Sequence, residues 1–199
     1  MNPSMQRSAS PAFAAVARTT ESRLSPYGNE ASVASADEPA MGLVVPLPIH
    51  VPDEPPWAWK TALVATLGAG PNARLRIRPR LSVAAWSGDI DAAAQITDKV
   101  VDNAVSHAKP FDDGKFPLRA FILPTNELVI EVDDQTPEFP GFAEAISWKP
   151  TDENVPPCGL WWVRRYGGRL SYAVLHDGDR KAIGKTVQVL LPATPEVSA

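Results

Sequence analysis

The sequence predicts an α+β sandwich in which helices cover one face of a mostly antiparallel sheet. Three observations lead there. A long amphipathic helix is written between Asp89 and Ala108. Two pairs of strand-like segments follow, 117–134 and 170–192, each folded back on itself by a short turn that makes its strands antiparallel. A short helix separates the pairs, giving the order helix, two strands, helix, two strands.

Composition narrows the class. The chain has 199 residues and is 44 % hydrophobic, enough for one ordinary domain with a core. A net charge of -4 offers no basic footprint for phosphate backbones, so nucleic acid is not an expected partner. Cys158 is the single cysteine, which excludes an intrachain disulfide and a zinc site built from several thiolates. There is no apolar run of the roughly 18 residues that a membrane span needs, and no leader pattern at the start. The expectation is a soluble cytoplasmic protein without a membrane partner. Residues 1 to about 42, rich in Ser, Ala, Pro and Glu, have the composition of a disordered tail, and 43–56, broken by prolines, that of an extended connector. The domain is expected to occupy residues 57–192, with 193–199 frayed. No internal repeat is present.

Along the domain, Arg74, Arg76, Arg78 and Arg80 alternate with Leu75, Ile77 and Pro79, the pattern of a strand with one solvated face. The proline places it at a sheet edge, where charge resists unwanted pairing. The other reading is an anion or partner site. In the long helix, Ile90, Ala93, Ile96, Val100, Val101, Ala104, Val105 and Ala108 recur at helical intervals. A polar loop over 109–114 leads to a hairpin turning at Pro124 to Asn126. Residues 135–158, with Thr136 and many prolines, have the length and composition of a mobile lid with a hint of helix near Phe142. GLWWVRRY, from Gly159, reads as a short helix ended by Gly167 and Gly168. A strand LSYAVL, a turn HDGD and a last strand TVQVLLP complete the domain.

Two polar placements stand out. At about 100° per residue, Asn103 and His107 fall within about 20° of Ile96 on the apolar stripe, whereas Asp98 and Asp102 point toward water. A desolvated amide left unpaired costs about 1–3 kcal/mol. Either an internal hydrogen bond satisfies Asn103, or the stripe lines a pocket where its carbonyl oxygen meets a metal ion or a phosphate-bound water. The second placement is Asp134. Strand parity carries it onto the face of Leu128, Ile130 and Val132, so a carboxylate arrives at the rim of the core. Trp57, Trp59, Trp161 and Trp162 are more tryptophans than one core usually needs, which leaves core packing and a partner surface as alternatives.

Three of these segments, in this order, resemble the GHKL ATPase superfamily, which includes the ATP domains of histidine kinases, and within it the anti-sigma-factor serine/threonine kinases. DKVVDNAVSHA is similar to the family's N-box helix. ELVIEVDDQTP resembles its adenine-binding strand and turn, with Asp134 followed by Thr136 and Pro137. Gly159 and Leu160 resemble the remnant of a glycine-rich lid motif, and GKTVQVLLP the closing strand. The match covers roughly residues 81–192.

The resemblance implies a Bergerat-type fold that binds ATP and Mg²⁺, with Asn103 as the protein ligand to Mg²⁺ and Asp134 accepting from the adenine amino group. It places His107, Thr136 and Gly159 around the nucleotide and Thr186 near the adenine. It also implies a protein partner, a sigma factor or an antagonist of the anti-sigma type, phosphorylation of that partner, and dimerisation, which is common among relatives. The pattern departs at Lys99, which stands where the N-box has its Glu and is expected to point into the same pocket. A protonated lysine accepts no proton, and loss of a general base typically costs about 10²–10⁴ in rate. No catalytic residue is therefore assigned, and a non-phosphorylating interaction module on the same fold is the alternative. Pro156 and Pro157 also remove two lid N–H donors.

Overall fold

A computed structural model describes residues 49–147 and 159–193. The expected tail over 1 to about 42, the connector as far as 48, the part of the 135–158 lid from 148 on and the frayed end from 194 on lie outside the described residues. The elements run β1 (Trp57–Val64), α1 (Ala69–Val83), α2 (Ile90–His107), β2 (Lys115–Ile122), β3 (Leu128–Asp134), α3 (Phe142–Ser147), α4 (Trp161–Arg165), β4 (Arg169–His176) and β5 (Ala182–Leu191). The domain is the predicted α+β two-layer sandwich. Its five strands lie in the order β1-β2-β3-β5-β4, every neighbouring pair antiparallel.

One expectation is overturned at the start of the domain. The arginine-rich run is not an edge strand but part of α1. Ala73, Ile77 and Leu81, four residues apart, are fully buried, whereas Leu75 is 76 % exposed. A strand would have put all of them on one face. Burying Ile77 and Leu81 against the core stabilises far more than a solvated edge would. Pro79 sits in the last turns, where its missing N–H costs a single bond to a carbonyl on the exposed side. Of the arginines, Arg78 pairs with Asp91, Arg76 donates to Thr61 and Arg80 lies over Trp59.

The edge role falls instead to β1, an element the sequence reading did not assign. Trp57 and Trp59 face the helices there and pack on the core, while Trp162 packs on it from α4 and stacks on Tyr166.

Helix α2 begins at Asp89, whose carboxylate accepts from the Ala92 amide at 2.9 Å and caps the first turn. Its packing against α1 is close. A Cβ on Gly70 would overlap the carboxylates of both Asp98 and Asp102, so the two helices meet where α1 has no side chain. Asp98 therefore does not point into water as expected. It is 8 % exposed, and among the described residues its Oδ1 has no hydrogen-bond partner.

Strand registers sort the side chains into two faces. Phe116, Leu118, Ala120 and Ile122 of β2, Leu128, Ile130 and Val132 of β3, and Val187, Val189 and Leu191 of β5 face the helices and form the main core. On the other face, Val51, Leu123, Val129 and Leu190 form a second cluster with Ile49 packed against it. The connector is thus anchored rather than loose at its end. The Gln188 amide both donates to and accepts from the Ile49 backbone at 2.9 Å. Beside it, Arg119 forms a bidentate pair with Asp133 and also bonds Glu131 at 2.8 Å. Burial pulls the Arg119 guanidinium down, but the two carboxylates hold it above its ordinary value.

Two stability measurements follow from this packing. Ile77→Ala should cost about 2–5 kcal/mol in urea unfolding, whereas Leu75→Ala should stay within about 0.5 kcal/mol, a contrast that a strand would not give. Asp98, pushed up by burial and by neighbouring Asp102, takes up its proton more readily folded than unfolded. Stability should therefore rise as pH falls from neutral through its folded value, and level off below the ordinary carboxylate range. Asp98→Asn should raise the unfolding temperature at pH 7 and lose that advantage in acid, as read by thermal melts across pH.

Candidate functional site

On the helix side of the sheet, a cleft of about 330 Å³ opens between the C-terminal end of α2, the segment after β3 and the start of β5. Asn103, His107, Glu138, Phe139, Gly141, Leu160 and Lys185 line it. The periodicity that put Asn103 and His107 on the apolar stripe is obeyed, but the stripe here runs past the sheet. Asn103 is only half-buried and His107 is exposed. Among the described residues, no group hydrogen-bonds the Asn103 amide. The residue lines the cleft.

Asp134 arrives on the expected face and is 1 % exposed. It does not itself line the cleft, because Lys185 covers it. The Lys185 ammonium lies 2.9 Å from the carboxylate and donates to the Thr136 carbonyl at 2.9 Å. It also sits 5.5 Å from the centre of the Phe139 ring. The Thr136 amide donates to Asp134 Oδ1 at 2.8 Å, closing a turn at the end of β3. Burial pushes the Asp134 carboxyl up, against the opposing pull of Lys185 and the Thr136 amide.

Thr136 Oγ1 accepts from the Lys109 amide at 3.0 Å, and the Gln135 amide donates to the Lys109 carbonyl at 2.8 Å. The turn after β3 is thereby stitched to the end of α2, which fixes Asn103 and His107 relative to Asp134. Gly184 permits the same closeness on the other side. Its Cβ would lie 2.1 Å from the Asp134 carbonyl oxygen.

Two expected site residues fall elsewhere. Thr186 pairs with Asp133 across the strands, and its hydroxyl donates to that carboxylate at 2.7 Å on the sheet face away from the cleft. A one-residue difference in parity moves a side chain through the sheet, so the residue facing the cleft from β5 is Lys185. Lys99 also departs from expectation. It lies 3.5 Å from Asp102 and is not among the cleft's lining residues.

Gly159, in the left-handed region at φ 52°, is exposed and hands the chain to buried Leu160, which does line the cleft. The sequence reading missed Lys185, Glu138 and Phe139. Lys185 was within reach, since it shares parity with Val187 and Val189.

No group of three or more His, Cys, Asp and Glu side chains is placed to hold a metal among the described residues. No helix among them is long and apolar enough to cross a membrane.

No protein-family model matches the chain, and the comparison with curated proteins found no match. Among solved structures it is similar to the RsbU and RsbW domains of a Mycobacterium tuberculosis protein, with TM-score 0.43 and 18 % identity over 68 % of this chain and 32 % of that one. It is similar to the mycobacterial sensor histidine kinase MprB, with TM-score 0.38 and 17 % identity over 63 % of this chain and 94 % of that one. The histidine kinase domain of a blue-light activated histidine kinase from Erythrobacter litoralis gives TM-score 0.35 and 19 % identity over 62 % and 64 %. Each likeness is partial, and the chain spans about a third of the first.

The turn geometry is open to test. Gly184→Ala should destabilise the domain by about 1–3 kcal/mol, because the added carbon meets backbone that cannot step aside. Amide hydrogen exchange should report the loss first at the β3–β5 end beside Asp134.

Proposed function

We propose that the chain is an ATP-binding regulatory module that acts by nucleotide-dependent binding of a protein partner, of the sigma-factor or anti-sigma-antagonist type. The observation carrying this reading is the meeting of segments far apart in sequence. Asn103 and His107 from the N-box-like helix, Leu160 after the lid-like glycine and Lys185 on the closing strand line one cleft, with Asp134 directly behind it.

The chemistry of the lining suits a nucleotide. Phe139 and Leu160 offer apolar surface to a base, and the Asn103 amide, unpartnered among the described residues, offers with His107 polar contact to phosphates or to what they carry. The donors present fit Mg²⁺ held mainly by phosphates and water, with Asn103 Oδ1 as its protein ligand, since this ion dehydrates reluctantly and is seldom caged by protein alone. Bound there, it would neutralise phosphate charge.

For the outcome of binding, the observations favour a switch over a kinase. Lys99 replaces the N-box acid and pairs with Asp102. Among the described residues lining the cleft, Glu138 alone carries a carboxylate, and it comes from the segment after β3. The carboxylate base that the N-box would place on α2 is thus absent from the described lining, His107 being the titratable side chain that α2 puts there, and general-base loss typically lowers rates by about 10²–10⁴. Partner capture without efficient phosphotransfer is the form of the reading that these residues support.

Calorimetric titration of the full chain with ATP and ADP, with and without Mg²⁺, tests it. Magnesium-dependent binding is expected, weakened at least tenfold in Asn103→Ala while the melting temperature stays unchanged. Absence of heat at millimolar nucleotide would remove the reading.

A further inference from the structure

Lys185 is 4 % exposed, buried to a degree unusual for a lysine, and it is held by three groups at once: the Asp134 carboxylate, the Thr136 carbonyl and the Phe139 ring. Among the described residues Asp134, almost wholly buried, accepts besides this from the Thr136 amide alone. A carboxylate at the base of a cleft, satisfied by a donor on a flexible stem, resembles an occupied binding point more than an empty one.

We propose that Lys185 is a resident competitor for the base-recognition point of the cleft, so that its ammonium supplies to Asp134 the hydrogen bond that a purine amino group would otherwise supply. This rests on the nucleotide-binding reading above. An incoming adenine must lift the ammonium away before its amino group reaches Asp134. The four-carbon stem allows that movement, whereas the short Thr186 side chain, on the opposite face, takes no part. Glu138 lines the same cleft and gives the displaced ammonium a carboxylate to meet. Affinity for adenine nucleotides is then set by the exchange of one buried partner for another, and any group that draws Lys185 outward tightens binding without touching the base.

The full chain labelled with ¹³C-lysine provides the test. The Lys185 Cε signal, assigned by its loss in Lys185→Arg, should be displaced by the Phe139 ring in the free protein and move to free-lysine values on Mg-ATP addition. In parallel, Lys185→Thr should bind Mg-ATP at least tenfold more tightly than the parent in calorimetry. If that variant does not fold, the lysine signal in the parent chain decides alone. Binding of Mg-ATP by the parent with the Lys185 signal unmoved, or a folded Lys185→Thr of unchanged affinity, would overturn the inference and leave the nucleotide reading standing. No binding by either protein would overturn both.

Discussion

The antiparallel register of β3 against β5 is the constraint from which the rest of the molecule follows. It sets Asp133 opposite Thr186 and Asp134 opposite Lys185, and since successive side chains leave a strand on opposite faces, the four residues divide into two unlike pairs. One pair joins the Arg119, Glu131 and Gln188 network on the outer face, and the other closes the base of the cleft. Every residue of β3 is buried, so it has no solvated face on which a misplaced charge could be tolerated. A slip of one position would drive Asp134 into the outer network and bring Asp133 up against the helices, each carboxylate losing its cation. Removing one partner of a buried ion pair costs about 3–5 kcal/mol, and this register holds the Asp134–Lys185 pair, while the β2–β3 register holds Arg119 against Asp133.

Backbone hydrogen bonds and one close approach fix the geometry at one end of the site. Lys109 accepts and donates to the turn after β3, Gly184 lets β5 close on the Asp134 carbonyl, and the Thr136 amide completes the carboxylate's shell. Position and protonation are set by the same contacts. By contrast, the wall bearing Glu138, Phe139 and Gly141 belongs to irregular chain between β3 and α3, and Gly141 adopts φ 78° there. A hydrogen-bonded floor thus meets an irregular wall.

Much of this was legible in the chain, and the misses have physical causes. Helix α2 and the β2–β3 hairpin were legible because their periodicities are long and unmixed, and Asp134 was placed correctly by parity alone. Helix α1 was not, because its arginines occupy even positions and its apolar residues odd ones, so periods of two and four coincide. Only packing tells Ala73, Ile77 and Leu81, which are buried, from exposed Leu75. Asn103 and His107 carried the right angular position, but the sequence does not say where the sheet beneath the helix ends. Thr186 was preferred to Lys185 through resemblance, although parity with Val187 and Val189 pointed to the lysine. The place of Lys99 was misjudged through resemblance as well, although Asp102, its partner, lies three residues along the same helix and was legible at that spacing.

The bonds between Gln188 and Ile49 bear on how the domain would respond to mechanical load. The chain enters on the sheet face away from the cleft, held at Ile49 by a side-chain amide that bonds its backbone as a neighbouring strand would. Tension applied through the preceding residues meets those two bonds first. It then reaches β1, an edge strand whose pairing with β2 begins at Trp57 and Ile122. Such a strand peels one rung at a time instead of shearing all at once. Gln188 belongs to β5, so that strand is loaded only through two side-chain bonds on the face away from the cleft, and once they part the pull passes to the β1 edge instead of to the β3–β5 ladder.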